Sequence, residues 1–200
     1  MGTHNEGLVL MAGSNVVIVH RSKGNPKSDW YQWMKKMLES RGFRVDIPKM
    51  PDPEKHSMEE SIAALEVAVL DIENTYLIGH GLGCQAILHF LARESIGVAK
   101  GVLLVSPPLH LKESALKTQL GRRIQEEWLS KPLDIDAARA NAGSVRIIAS
   151  KDDPYIKESD ARELAQKLGA YINTMPVSSH FTADDSYMEL HAALNEFMKL

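Results

Sequence analysis

Residues 75–84 read Thr75-Tyr76-Leu77-Ile78-Gly79-His80-Gly81-Leu82-Gly83-Cys84. The run through Ile78 is short and apolar, as a strand covered on both faces should be, and the apolar stretch from Leu82 onward predicts a helix. Strand therefore becomes helix across a sharp corner. Gly79 and Gly83 bracket that corner, and both are explained if strand and helix come so close that a Cβ at either position would collide. Gly81 stands at its tip and offers no side chain to whatever lies in front of it.

Outward from this corner, apolar β-branched runs alternate with longer amphipathic stretches, the rhythm of parallel strands joined by helices. Strands are predicted at 15–19, 43–47, 75–78, 101–105, 145–149 and 171–175. Helices are predicted at 30–40, where Trp30, Trp33, Met34, Met37 and Leu38 recur at helical spacing, and at 57–70, opened by the capping box Ser57-Met58-Glu59-Glu60. Further helices are expected at 82–93, 159–168 and 186–198. The fold class is α/β, a three-layer α/β/α sandwich with a mostly parallel, doubly wound sheet. Residues 1–200 are read as one domain. The section 107–141 interrupts the rhythm with a charged amphipathic helix at 119–129, carrying Ile124 and Trp128, and a shorter one at 134–140. It reads as a small cap insertion over the carboxyl ends of the strands, where ligands bind in such sheets.

Composition narrows the function. The 200 residues carry 23 Lys and Arg against 26 Asp and Glu, a net charge of -3, with the two signs interspersed. That gives no electrostatic case for nucleic acid or an anionic membrane. The single cysteine, Cys84, can form neither an internal disulfide nor a Cys-x-x-Cys zinc site, and fits a reducing compartment. Residues 1–10 lack a basic region and a sustained apolar run, so no signal peptide is expected, and no apolar stretch is long enough to span a bilayer. The expected location is the cytoplasm, with neither metal nor cofactor.

The pattern Gly79-x-Gly81-x-Gly83 is that of the nucleophile elbow of α/β-hydrolases, G-x-S-x-G, with glycine where the serine belongs. In that fold the acid and then the histidine follow on loops after later strands. Ser150-Lys151-Asp152-Asp153-Pro154 follows the strand at 145–149, and Ser178-Ser179-His180-Phe181 follows the strand at 171–175. Asp153 and His180 thus stand in the expected order, with Asp152 as the alternative acid. A phosphate loop is the other glycine-rich reading, but the Walker lysine and the third glycine of a dinucleotide fingerprint are absent.

The chain resembles the small serine hydrolases of the YdeN and retinoblastoma-binding protein 9 family. The resemblance runs through Trp30-Tyr31-Gln32-Trp33, Met50-Pro51-Asp52-Pro53, the stretch 75–86, the stretch 149–154 and His180-Phe181. It implies that Asp153 and His180 match the family's catalytic acid and base, and that Gly81 matches its serine. The backbone N–H groups of Leu82 and Arg21 would form the oxyanion site. The family usually has glycine after the first strand, whereas this chain reads His20-Arg21-Ser22, and the Arg21 side chain is expected to crowd the site. Two departures rather than one favour a naturally degenerate site over a single engineered change. Cys84 is read as packing, His80 as a structural hydrogen-bonding residue, Trp30 and Trp33 as core, and Ser106 as a strand-end serine that could supply a substitute hydroxyl. The expectation is a non-hydrolytic relative that binds a small ester- or amide-like molecule or a protein partner, as a monomer or weak homodimer. The alternative is an esterase or amidase, either inactivated by a serine-to-glycine change or hydrolysing weakly through water at His180.

Overall fold

The computed structural model describes residues 13–200, so the N-terminal stretch considered for a signal peptide lies outside the described residues. Six strands form one sheet in the order β2-β1-β3-β4-β5-β6, and every neighbouring pair is parallel. They are β1 (Asn15–Val19), β2 (Arg44–Asp46), β3 (Thr75–His80), β4 (Gly101–Val105), β5 (Ser144–Ser150) and β6 (Tyr171–Met175). The chain runs from β1 outward to β2, then crosses back to β3 on the other side of β1. The switch point between β1 and β3 opens a crevice at the carboxyl ends of the strands, where such sheets bind ligands.

Alternation along each strand divides the core in two. Val16 and Ile18 pack with α1 (Tyr31–Glu39), through Tyr31, Met34 and Leu38, and with the C-terminal helix (His191–Phe197), through Leu194 and Phe197. Val17 and Val19 face the opposite layer, built by α2 (Met58–Ala68), α3 (Leu82–Leu91) and later helices. The α2 capping box forms as its sequence predicts, with Ser57 and Glu60 each bonding the other's backbone N–H. All ten residues of α3 are buried, which its nearly continuous apolar sequence requires.

The segment after β4 forms α4 (Glu113–Leu116), α5 (Gln119–Ile124), a π-helical stretch (Gln125–Leu129) and α6 (Ile135–Asn141). The single helix expected at 119–129 is thus two kinds of helix in succession. Ala138 of α6 shares the core of α3 and α7 (Glu158–Leu168), so α6 belongs to the helical layer. The earlier part lies against the loop after β5, through the Leu111–Ile156 bridge and a 2.8 Å bond from the Lys112 N–H to the Tyr155 carbonyl. The last helix, α8, is the one at His191–Phe197 and starts later than the 186 expected. The N–H groups of Asp185, Ser186 and Tyr187 are spent in turn bonds to Thr182 and Ala183, and Ser186 takes a positive φ of 71°, which no helix accommodates.

Candidate functional site

The corner after β3 is as tight as its glycines imply. A Cβ on Gly79 would stand 2.9 Å from the backbone N and Cα of Cys84, and one on Gly83 would meet the carbonyl oxygens of Val19 and His20. Gly81 itself has φ 53° and ψ -122°, and its N–H donates to the Val105 carbonyl at 2.9 Å. This backbone conformation is one that glycine adopts freely and other residues only under strain. A Cβ on Gly81 would point at His180, 3.0 Å from its Nε2. The corner and the late histidine, 99 positions apart by number, are brought face to face.

Asp153 rather than Asp152 pairs with that histidine. Its Oδ2 lies 2.7 Å from Nδ1 of His180, while its Oδ1 accepts the N–H groups of Tyr155 and Ile156 at 2.9 and 3.1 Å. Facing a buried carboxylate, Nδ1 carries the proton and donates it, which leaves Nε2 with a lone pair directed toward Gly81. Asp152 has a different task. Its Oδ1 accepts the Ser150 hydroxyl and the N–H groups of Ser178 and Ser179, and these bonds hold its carboxyl down at about 2. One carboxylate therefore orients the imidazole, and its neighbour fastens the loop that carries it.

Arg21 sits on the opposite wall, its Cβ 3.2 Å from where a Cβ on Gly81 would be. Its guanidinium pairs with Asp29, Nε to Oδ2 at 2.8 Å. Burial works to raise the Asp29 carboxyl, but its hydrogen bonds from Arg21 and the Ala183 N–H prevail and keep it below its usual range. The side chain thus crowds the notch with its stem, while its charge is engaged by Asp29. The Arg21 N–H, expected to face a developing oxyanion, donates instead to the Tyr31 hydroxyl at 3.1 Å. Leu82 opens α3, so its own N–H has no acceptor within the helix.

A buried chain of hydrogen bonds continues from there. The Tyr31 hydroxyl lies 2.7 Å from Nδ1 of His80, whose Nε2 lies 2.8 Å from the His180 carbonyl. A carbonyl only accepts, so Nε2 of His80 donates and Nδ1 accepts from Tyr31. Burial pushes the His80 imidazole down to about 3. His80 is structural, as its position implied. The parts played by Tyr31, Asp29 and Asp185 were not read from the sequence. Asp185 Oδ2 receives the N–H of His180 and both the N–H and hydroxyl of Thr182. The only available hint was that an aspartate five residues beyond a loop histidine can close the loop on itself.

The remaining candidates resolve into packing. Cys84 is fully buried, its thiol pushed well above its usual range by burial and directed at the Val105 carbonyl. Trp30 is core, with Nε1 donating to the Phe181 carbonyl at 3.1 Å, and Trp33 packs edge-on against His191. Ser106 directly follows β4 with φ 49°, and its buried hydroxyl has no partner among the described residues. A cleft of about 1080 Å³ opens next to the site, lined by Arg21, Leu82 and Gly83 together with Met50, Ala86 and Trp128. Among the described residues no group of three or more His, Cys, Asp or Glu is placed to hold a metal ion, and no helix is long and apolar enough to cross a membrane.

A parallel sheet in this order, covered by helices on both faces, is the α/β-hydrolase fold. Residues 16–199 match the serine hydrolase family, and the chain belongs to that family. It is 31% identical over 180 residues to YdeN of Bacillus subtilis (strain 168), covering 88% of this chain and 90% of that protein. The crystal structure of the B. subtilis ydeN gene product superposes with a TM-score of 0.83 at 29% identity, covering 93% of this chain and 97% of that one. The serine hydrolase RBBP9 of Rattus norvegicus is 26% identical over 155 residues, 76% of this chain and 77% of that protein.

Proposed function

We propose that this chain is a non-hydrolytic member of the serine hydrolase family, in which Gly81 occupies the nucleophile position, Asp153 and His180 are the retained acid and base, and the Leu82 N–H is the retained oxyanion donor. One observation carries this reading: the spot 3.0 Å from Nε2 of His180, where a side chain on residue 81 would begin, holds no protein atom. Removing a triad nucleophile costs on the order of 10⁶ in turnover, so ordinary acyl-enzyme chemistry is lost. The inherited cleft then serves to bind a small ester- or amide-like molecule or a protein partner, in a cytoplasmic monomer or weak homodimer. The section 107–141 contributes a cap through its earlier part, with Trp128 at the cleft.

The intact Asp153–His180 pair favours one second reading. His180 could activate a water directly and hydrolyse an ester slowly, without a covalent intermediate. A fluorophosphonate probe and an ester assay separate the two. The first reading expects no probe adduct and no turnover above background. An adduct on any serine, Ser106 included, would sink it, and residual turnover abolished by His180→Ala would select the second.

A further inference from the structure

Two polar groups at the site are left open, and they differ in kind. Nε2 of His180 is an acceptor, because Nδ1 is committed to Asp153. Among the described residues it has no hydrogen-bond partner, although His180 is only 8% exposed and the nitrogen looks onto Gly81. The Leu82 N–H is a donor at the start of a helix of 10 residues, with no carbonyl one turn back. The Arg21 N–H on the far wall is already given to Tyr31.

One acceptor beside one donor selects a chemistry. A hydroxyl satisfies both with a single oxygen, donating to Nε2 and accepting from Leu82. A carboxylate has no proton to offer the lone pair, and with the Arg21 N–H engaged it lacks a second donor to share its charge. We propose that the notch in front of Gly81 recognises a hydroxyl carried by the ligand, held between His180 Nε2 and the Leu82 N–H, with an aliphatic remainder in the adjoining cleft. This rests on the non-hydrolytic reading, since a serine at position 81 would place a hydroxyl of the protein in the same space. Arg21 and Leu82, which border the notch, also line the cleft, where Met50, Ala86 and Trp128 add apolar surface among charged neighbours such as Lys49 and Glu60. Arg21 Cβ leaves little room beside the notch, so an unbranched carbinol carbon fits better than a tertiary one.

The probe is 1-hexanol, compared with hexanoate and the tertiary alcohol 2-methyl-2-pentanol, on the ¹⁵N-labelled full chain near neutral pH. Titration with 1-hexanol is expected to shift the His180 Nε2 and Leu82 N–H resonances, and the two comparison compounds to bind more weakly. Gly81→Ala, whose methyl would stand 3.0 Å from Nε2, is expected to weaken 1-hexanol binding. Losing one such bond corresponds to about a tenfold change in Kd. Should alanine at φ 53° prevent folding, His180→Ala removes the acceptor without touching the corner. Binding of 1-hexanol that neither substitution alters, tighter binding of hexanoate, or no shift up to the solubility limit would each overturn the proposal. Fluorophosphonate labelling of the same sample keeps the two questions apart. A labelled serine defeats the non-hydrolytic reading, whereas an unlabelled protein that ignores the alcohol defeats only the hydroxyl site.

Discussion

The rings of His80 and His180 lie 5.2 Å apart, and Nε2 of the first donates to the backbone carbonyl of the second at 2.8 Å. The residue just before the corner therefore positions the backbone of the residue that faces it. Because Tyr31 bonds both His80 and Arg21, the strand-end loops of β1, β3 and β6 share one buried polar chain. Every link needs His80 neutral with its proton on Nε2.

That requirement makes stability depend on pH. His80 in the fold resists protonation down to about 3, from a usual 6.5. Between those values the unfolded chain binds more protons than the folded one, so stability is lost as pH falls from 6.5 toward 3. The expected slope from this residue is about 1.4 kcal/mol per pH unit, and His20, also pushed down by burial, steepens it. Urea unfolding at roughly pH 7 and roughly pH 5 reads the slope. His80→Asn should flatten it by one proton, and an unchanged slope would contradict the assignment.

Tyr31→Phe removes the hydroxyl that both accepts from Arg21 and donates to His80. Two polar groups are then left without their partner, at least one of them fully buried, and each costs about 1–3 kcal/mol when unsatisfied. A loss in that range is expected from denaturant unfolding. A neutral result would mean that water replaces the hydroxyl.

Gly81→Ser tests whether the retained pair is competent. Serine at φ 53° should cost about 1–3 kcal/mol in backbone strain, visible as a lower Tm. It should also gain fluorophosphonate labelling and ester turnover that a second change, Asp153→Asn, lowers by about 10⁴ through loss of the correct imidazole tautomer. Labelling that is indifferent to Asp153→Asn would place the reactive serine elsewhere.

Gly83→Ala asks how close the helix comes to β1. The added methyl meets backbone oxygens of Val19 and His20, which cannot move without shifting the strand. The expected loss is about 3 kcal/mol, at the upper end for overpacking. Gly13→Ala meets no atom within 4 Å and serves as a comparison in which only the strain of its φ of 86° is felt.

The sheet and its covering helices were legible because each element carries its own periodicity, from the NVVIV run of β1 to the capping box of α2. The corner was legible because close approach leaves glycines in sequence. The position of His180 relative to Gly81 followed from element order. What could not be read were partners set by tertiary geometry. Asp152 and Asp153 are adjacent carboxylates, and only the path of the loop decides which one meets the imidazole. Asp29 looks like a loop aspartate, yet it is 4% exposed and anchors both Arg21 and the Ala183 N–H. The late start of α8 was hidden for a similar reason, because Asp185 organises the preceding turn through its side chain.

Asp29 accepts from the Ala183 N–H and Trp30 donates to the Phe181 carbonyl, 154 and 151 positions further along the chain. Contacts of such separation form only when the intervening sheet has closed, since the loop entropy must be overcome first. A nascent polypeptide emerging from a ribosome would thus acquire most of its strands before the proposed notch site is complete. Whatever molecule engages the notch meets the finished protein and never its precursor, so ligand added during synthesis should report completion rather than assist it.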